Sequence, residues 1–282
     1  MKYRRLTQSV FRAGKGLHSG RDCTLLIEPT DENLSLAIEG ERLPLSQLAL
    51  EGTGRGSDLI FPTGRRVRTC EHVLSALTGL GVWRAKLVVT GEGAELEMPG
   101  LDGCSENLAE EIMEKSIPED LSKAPTPFKP PSSIHAGDFS EAKPRFVVAL
   151  PSSSFRVTYV IDYAATPIGT RIFDFPGHAH YLKEIAPART FVMRSDVEAL
   201  RAAGLALGGS LDNAILVDET GVETSGGLRF PDEFARHKVL DLLGDLAGLG
   251  RPLVAHVIAV RAGHVQHLQL VERLRAASRE HT

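Results

Sequence analysis

The chain has 282 residues, of which 42% are hydrophobic and 24% charged, with 32 Lys and Arg against 36 Asp and Glu. This balance is typical of a globular protein, and the net charge of -4 gives no electrostatic reason to expect nucleic-acid binding. At about 150 residues per domain, the length favours two domains with ample buried cores.

Cysteine usage and the N-terminal residues predict a cytoplasmic protein. Cys23, Cys70 and Cys104 are an odd number without paired spacing, and residues 1–5 are not followed by the apolar segment of a signal peptide. No run approaches the roughly 18–20 apolar residues of a membrane span, the nearest being residues 253–260. We therefore expect contact with lipid to be peripheral at most.

A proline-rich stretch divides the chain. Five of the 16 prolines fall within residues 116–133, which contain few large apolar residues. Prolines at this density interrupt helices and central strands alike. We place a linker at residues 118–133, between a first domain over residues 1–117 and a second domain over residues 134–282.

The hydrophobic pattern predicts strands and helices in a similar order in both parts. In the first part the predicted elements are strands at residues 3–11 and 23–28, a helix at 70–80, a strand at 85–90 and a helix at 105–115. In the second part they are strands at residues 145–150 and 155–163, helices at 196–203 and 231–249, a strand at 253–261 and a helix after Gly263. This shared order predicts a duplicated α+β architecture, although no repeat of individual residues is visible.

The helix predicted over residues 231–249 carries three polar residues at a spacing of four. His237, Asp241 and Asp245 therefore lie in one row along the helix. One imidazole and two carboxylates in a row can hold a divalent metal and leave one acid outside the ligand set. A row of solvated charges on an exposed helix face is the alternative for this spacing taken alone.

Two further places supply candidate metal ligands and acid–base groups. Glu71 and His72 lie early in the first predicted helix, whose N-cap we place at Thr69. Adjacent residues point about 100° apart on a helix, so one can bind a metal while the other faces a water molecule. His264 follows the last predicted strand, which can present it to a cleft, although a surface position is the alternative for a loop histidine.

His72, His237 and Asp241 together supply two imidazole nitrogens and one carboxylate. This is the ligand set of a catalytic Zn²⁺ that keeps its fourth position open. In such a site Glu71 is the candidate general base and His264 the candidate acid. The ligands come from both parts of the chain, so we expect the site to lie between the two domains.

Seven short segments carry a resemblance to a known family, and they follow one another in family order along almost the whole chain. They are GLHSG at residues 16–20, TCEH at 69–72, MPGLDG at 98–103, ARTF at 188–191, GGSLDNA at 208–214, LRFPDEFARHK at 228–238 and AGH at 262–264. In these segments the chain resembles the UDP-3-O-acyl-N-acetylglucosamine deacetylases, the zinc amidases of lipid A biosynthesis.

The resemblance implies an α+β fold of two similar domains packed face to face, with helices inside, sheets outside and zinc in the cleft. It implies that His72, His237 and Asp241 are the zinc ligands, with Glu71 as general base and His264 as acid or electrostatic partner.

Three more catalytic residues follow from the resemblance. Asp245 matches the carboxylate that orients the catalytic histidine. Thr190 and Lys238 match groups that stabilise the oxyanion, a role that suits a hydroxyl and an ammonium directed at a polarised carbonyl.

The resemblance also implies a β-α-β insert in the second domain that holds the acyl chain of the substrate, at residues 191–218. The residues that match its substrate-binding positions are Phe191, Val197, Gly209, Ser210, Ala214 and Leu216. Small and apolar residues suit a hydrocarbon passage, since each buried methylene contributes about 0.8 kcal/mol. Ordinary packing of a strand and a helix is the alternative for any one of them.

The chain departs from the family pattern at three places. Val192-Met193-Arg194 stands where many members continue with Gly-Phe, which we expect to place a charge near the mouth of the passage. Arg171 stands where members often have Gln, and residues 51–57 are Gly-rich and match poorly. Acyl-chain preference and sugar contacts are expected to differ accordingly.

The residues and the resemblance together predict hydrolysis of the 2-acetamido group of UDP-3-O-acyl-N-acetylglucosamine in lipid A biosynthesis. We expect a monomer that uses Zn²⁺ and has this UDP-linked sugar as its partner. The alternative, suggested by Arg171 and Arg194, is a paralogous zinc deacetylase acting on another acylated or nucleotide-linked amino sugar. A non-catalytic binding module of the same fold is disfavoured, because Glu71 and the three ligands are all present.

Overall fold

The structure is a computed structural model that describes residues 3–93, 95–140 and 142–280. The strands are β1 (Arg4–Leu6), β2 (Val10–Lys15), β3 (Asp22–Pro29), β4 (Ser35–Ile38), β5 (Glu41–Pro44), β6 (Ala49–Gly52), β7 (Ser57–Ile60), β8 (Arg66–Arg68), β9 (Ala85–Gly91), β10 (Leu96–Glu97), β11 (Ser116–Pro118), β12 (Ile134–Asp138), β13 (Arg145–Pro151), β14 (Arg156–Tyr163), β15 (Gly169–Phe175), β16 (Phe191–Met193), β17 (Ile215–Val217), β18 (Val222–Glu223) and β19 (Ala255–Val260). The helices are α1 (Glu71–Gly79), α2 (Glu106–Glu114), α3 (Tyr181–Glu184), α4 (Arg194–Ala202), α5 (Glu233–Leu246) and α6 (His264–Glu280).

Two five-stranded sheets have the same topology. Their strand orders are β2-β3-β9-β4-β5 and β12-β13-β19-β14-β15. In each sheet the central strand, β9 or β19, is antiparallel to one neighbour and parallel to the other. The chain is therefore an α+β protein in which one sheet arrangement occurs twice, and the predicted fold class is confirmed. The division into two domains at residues 118–133 stays a proposal.

Each sheet turns one face towards the helices. In β14 the buried residues Val157, Tyr159 and Ile161 alternate with more accessible ones, as expected for a strand with one covered face. The helices α1 and α5 pack against each other, and every residue of α1 is buried. These two helices carry most of the residues predicted to bind metal or transfer protons.

Close approach of α1 and α5 depends on Gly244. A Cβ atom at this position would overlap the backbone carbonyl of Glu71, so a glycine is required for the two helices to lie at this distance. The contact holds the first turn of α1 against the last turn of α5. It thereby places Glu71 and His72 opposite His237 and Asp241.

The predicted insert contains a β-α-β unit. Strand β16 is parallel to β17, and α4 connects them. Strand β18 adds an antiparallel partner to β17, which completes a three-stranded sheet.

Two local predictions near the first sheet are wrong. The strand predicted at residues 3–11 is two strands, because β1 pairs with β11 whereas β2 pairs with β3. Thr69 does not cap α1, because its hydroxyl donates to Glu97 Oε1 at 3.0 Å and its φ of 55° lies in the left-handed region. The residue that precedes the helix is Cys70, which makes no side-chain cap.

The proline-rich stretch is more ordered than its composition suggests. Its first residues form β11, a 3₁₀ turn spans Leu121–Lys123, and Phe128 makes an isolated bridge with Leu253. Among the residues described, there is no helix with both the length and the apolar character needed to cross a membrane.

Candidate active site

Three candidate metal ligands meet where α1 packs against α5. Asp241 Oδ1 lies 3.3 Å from His237 Nε2 and 3.7 Å from His72 Nε2. The two imidazole rings are edge to face, with centroids 5.1 Å apart. The three groups are buried and can hold a metal ion. The alternative of a solvated helix face is wrong for the row on α5, since Asp245 is buried as well.

The protonation states of His237 and Asp241 suit metal binding. Burial lowers the pKa of His237 to about 4, so its ring is neutral near pH 7. Burial alone would raise the pKa of Asp241, but His237 and the ammonium of Lys238 hold that pKa well below its usual range. A neutral imidazole and an ionised carboxylate are the forms that bind a metal without first losing a proton.

Glu71 lies beside the three ligands. Its Oε2 accepts a hydrogen bond from the backbone N–H of Ser57 at 3.0 Å, and an oxygen of this carboxyl clusters with Asp241 and His264. Burial raises the pKa of Glu71 above its ordinary value, despite the opposing effect of His264. A carboxylate with a raised pKa is a better proton acceptor near neutral pH.

His264 is the first residue of α6 and lines the same cavity. Its Nδ1–H donates to Asp245 Oδ2 at 2.9 Å, and its Nε2 lies 3.7 Å from Asp241 Oδ2. Burial opposes a charge on the ring, but Asp245 outweighs it and raises the pKa of His264 to about 9. The ring is therefore protonated near pH 7 and can serve as an acid.

Asp245 has two further partners that were not predicted from the sequence. The Ser57 hydroxyl donates to Asp245 Oδ1 and lies 3.1 Å from His264 Nδ1. His267 Nδ1–H donates to Asp245 Oδ2 at 2.7 Å. His267 could have been found from its spacing, because residues three apart on a helix share a face with one another. Ser57 carries no comparable signal.

Lys238 and Thr190 both line the cavity next to the metal ligands. The Lys238 ammonium donates to Asp241 Oδ2 at 2.8 Å and lies 5.7 Å from the centroid of the Phe191 ring. Burial alone would lower the pKa of Lys238, but Asp241 raises it, so the side chain stays charged. The Thr190 backbone is fixed by donation of its N–H to the carbonyl of Gly103 at 2.8 Å.

A cavity of about 330 Å³ extends from these groups into the insert, and its walls are mostly apolar. The predicted site residues that line it are Glu71, His72, Thr190, Phe191, Val197, Gly209, Ser210, Ala214, Leu216, His237, Lys238, Asp241 and His264. Asp245 does not line the cavity and lies behind His264. The structure thus brings the residues predicted for metal, proton transfer and acyl chain to one continuous space.

Arg194, which was expected to place a charge near the mouth of the passage, is not among the residues that line the cavity. It pairs with Asp218 at 3.2 Å and with Glu223. Arg55 and Asp196 do line the cavity, and they form an ion pair of 2.9 Å between the Gly-rich stretch and α4.

Arg171 is also removed from this cavity. It lies on β15, where it is exposed and donates to the carbonyl of Thr170. Neither arginine that suggested a different substrate therefore contacts the cavity.

Comparison with known proteins identifies the family. The family model described as LpxC, UDP-3-O-acyl N-acetylglycosamine deacetylase, matches residues 3–276. The chain belongs to this family. It is 36% identical over 292 residues to a protein of Anaeromyxobacter dehalogenans (strain 2CP-C) named UDP-3-O-acyl-N-acetylglucosamine deacetylase, covering 99% of this chain and 89% of that protein.

Two more relatives bear the same name. The protein of Thermosynechococcus vestitus (strain NIES-2133 / IAM M-273 / BP-1) is 36% identical over 269 residues, covering 93% of this chain and 90% of the relative. The protein of Myxococcus xanthus (strain DK1622) is 34% identical over 278 residues, covering 96% of this chain and 85% of the relative. The resemblance drawn from the seven segments is therefore confirmed.

The seven segments that carry the family resemblance lie close together around the cavity. Six of them contribute lining residues to the one cavity, including His18 from the first segment and His264 from the last. The remaining segment, residues 98–103, supports Thr190 through the carbonyl of Gly103.

Proposed function

We propose that this chain is a zinc-dependent deacetylase that hydrolyses the 2-acetamido group of UDP-3-O-acyl-N-acetylglucosamine, in lipid A biosynthesis. The observation that carries the proposal is the meeting of the two histidines and Asp241 with Glu71 and His264 beside a mostly apolar cavity. The names of the relatives supply the substrate.

The donor set fits zinc. In a tetrahedral zinc site with bonds of about 2.0–2.2 Å, ligand atoms lie about 3.3–3.6 Å apart. Asp241 Oδ1 lies 3.3 Å and 3.7 Å from the two imidazole nitrogens, close to that spacing. His237 Nδ1–H donates to the carbonyl of Ala188 at 3.0 Å, which leaves the Nε2 lone pair directed at the site.

A zinc ion held by His72, His237 and Asp241 would supply Lewis acidity and a water activated for attack near neutral pH. Glu71 takes a proton from the attacking water, as its raised pKa favours. Thr190 and Lys238 lie on the cavity wall, where they donate to the oxyanion as the carbonyl carbon becomes tetrahedral.

Collapse of the tetrahedral carbon breaks the C–N bond and expels the sugar nitrogen. His264 donates a proton to this nitrogen, which leaves as a neutral amine, and the acetyl group departs as acetate. Asp245 keeps the Nδ1–H of His264 engaged, so that the opposite ring nitrogen faces the cavity.

The apolar part of the cavity suits the 3-O-acyl chain. Residues from α4 and the following loop, such as Val197 and Gly209, line it together with Leu216 of β17. The acyl chain would then bind within the insert while the acetamido group reaches Glu71. This arrangement uses apolar burial to position a bond at the far end of the substrate.

We also propose that the protein works as a cytoplasmic monomer without nucleic acid. The three cysteines are buried and unpaired, which suits a reducing compartment. Size-exclusion chromatography with light scattering should give the mass of a single chain, about 30.5 kDa. A dimer mass at micromolar concentration would contradict the monomer.

Mass spectrometry of the products tests the activity. Zinc-loaded protein incubated with UDP-3-O-acyl-N-acetylglucosamine should yield acetate and a sugar that has lost one acetyl group while keeping its 3-O-acyl chain. Glu71→Gln is the matched control and should give little product. Turnover of a different acylated amino sugar, with none of this one, would support the paralogous deacetylase instead.

A further inference from the structure

Asp245 receives two histidines on one carboxylate oxygen. His267 is fully buried on α6, three residues after His264. Its Nδ1 lies 2.7 Å from Asp245 Oδ2, and His264 Nδ1 lies 2.9 Å from the same oxygen. An ionised carboxylate only accepts hydrogen bonds, so both rings donate to Asp245.

The other side of the His267 ring is held as well. Its Nε2 lies 2.9 Å from the hydroxyl of Tyr159, on β14. This hydroxyl also lies 2.8 Å from the backbone carbonyl of Ala262, two residues before His264, so its single proton is shared between that carbonyl and the Nε2 lone pair of His267. The polar contacts therefore run from Asp245 through His267 and Tyr159 back to the segment that leads into His264.

This arrangement limits how the Asp245 carboxylate can turn. The terminal torsion of an aspartate is intrinsically broad, so the orientation of this carboxylate is set by the donors on its two oxygens. Ser57 occupies Oδ1, while His264 and His267 converge on Oδ2 from different directions. The third donor strengthens this restraint, because rotation of the carboxylate would then break one more buried hydrogen bond.

We propose that His267 is a positioning residue for deacetylation, which through Asp245 fixes the ring of His264 against the leaving nitrogen. Tyr159 holds His267 in the orientation that this requires. The inference rests on the proposed function, because the task of His264 is defined by it. His267 does not line the cavity in which we propose that the substrate binds.

Three substitutions separate positioning from packing. His267→Leu fills similar space without a donor, whereas His267→Asn keeps an N–H near the position of Nδ1. Tyr159→Phe leaves His267 in place and removes its second partner. We expect kcat of zinc-loaded His267→Leu to fall about 10- to 100-fold, the range typical when an outer hydrogen-bond partner of a metal site is lost. KM should change less than about twofold.

His267→Asn should recover most of that loss. Tyr159→Phe should lose about 2- to 10-fold, as expected for one buried hydrogen bond. Equal kcat values for His267→Leu and His267→Asn would overturn the proposal, because only packing would then matter. A kcat for His267→Leu equal to that of the unmodified protein would also overturn it.

Nuclear magnetic resonance of the same zinc-loaded proteins gives a readout that does not depend on turnover. The Nδ1–H proton of His264 should be protected from exchange in the unmodified protein and in His267→Asn, and should exchange faster in His267→Leu. If His267→Leu fails to fold, faster exchange in Tyr159→Phe supports the proposal and unchanged exchange overturns it. An unmodified protein that lacks deacetylase activity but shows this pattern would contradict the proposed function and leave the Asp245 network standing.

Discussion

Replacing Gly209 by leucine should separate binding of the acyl chain from the chemistry at the metal. Gly209 lines the apolar part of the cavity, and a Cβ atom there would lie 3.3 Å from the carbonyl oxygen of Ala206. A Cβ atom therefore needs a shift of a few tenths of an ångström at Ala206. Since Gly209 lines the cavity of about 330 Å³, we expect the outer carbons of the leucine to extend into it.

The size of the effect follows from the carbons displaced. A leucine side chain adds four carbon atoms and should exclude about three or four methylenes of the substrate. At about 0.8 kcal/mol for each buried methylene, the loss is about 2–3 kcal/mol, after allowance for incomplete burial. Since 1.4 kcal/mol corresponds to a factor of ten, we expect kcat/KM for the acylated substrate to fall about 30- to 140-fold.

The assay compares acylated with deacylated UDP-N-acetylglucosamine, using zinc-loaded Gly209→Leu and the unmodified protein. The deacylated substrate should lose less than about threefold, because it places no chain near Gly209. Gly221→Leu is the matched control, since this glycine lies just after the insert, in the turn between β17 and β18, and a Cβ atom there meets nothing within 4 Å. Zinc content should be the same in all three proteins.

Two results would refute this reasoning. An unchanged kcat/KM of Gly209→Leu for the acylated substrate would show that the chain does not pass this residue. An equal loss for both substrates would show that the substitution disturbs the catalytic groups instead.

Three further predictions concern the catalytic groups. The purified protein should contain about one zinc per chain by elemental analysis. His237→Ala should lose this zinc, whereas the control His180→Ala, at an exposed histidine, should keep it. Retention of zinc by His237→Ala would contradict the ligand assignment. Glu71→Gln should keep the zinc and lose about 10²- to 10⁴-fold in kcat, the range for loss of a general base, and an emptied site would make Glu71 a ligand instead. Activity should fall as pH rises through the pKa of His264, because the acid must be protonated. This pKa is raised to about 9 in the protein without metal, and the charge of a bound dication should move the basic limb of the pH–rate profile below that value. In Asp245→Asn the basic limb of this profile should move to still lower pH, since the carboxylate stabilises the protonated ring of His264. A basic limb at unchanged pH would exclude His264 as the titrating acid.

Much of the candidate site could be predicted from local sequence. Spacing of four along one helix placed His237, Asp241 and Asp245 in a row, because the helical repeat is a local property. Alternation of apolar residues predicted β14 for the same reason. The order of short motifs, each with little meaning alone, indicated the family.

Contacts between distant parts of the chain decided the rest. The Ser57 hydroxyl and the His264 ring are 207 residues apart in sequence, yet their polar atoms lie 3.1 Å from each other. Arg194 was expected near the passage mouth from its position after Met193, but it does not line the cavity and pairs with Asp218 and Glu223. A charged side chain pairs with the partner that the fold brings near it, which its sequence neighbours do not specify.

The sequence by itself determined the chemical groups, the periodicity of the main helices and strands, and the presence of an α+β architecture. Only the tertiary structure decided that the row on α5 is buried, that Thr69 bonds to Glu97 instead of capping α1, and that His267 shares Asp245 with His264. The physical reason is that backbone periodicity depends on neighbouring residues. Burial, hydrogen-bond partners and pKa shifts depend instead on which distant surfaces pack together.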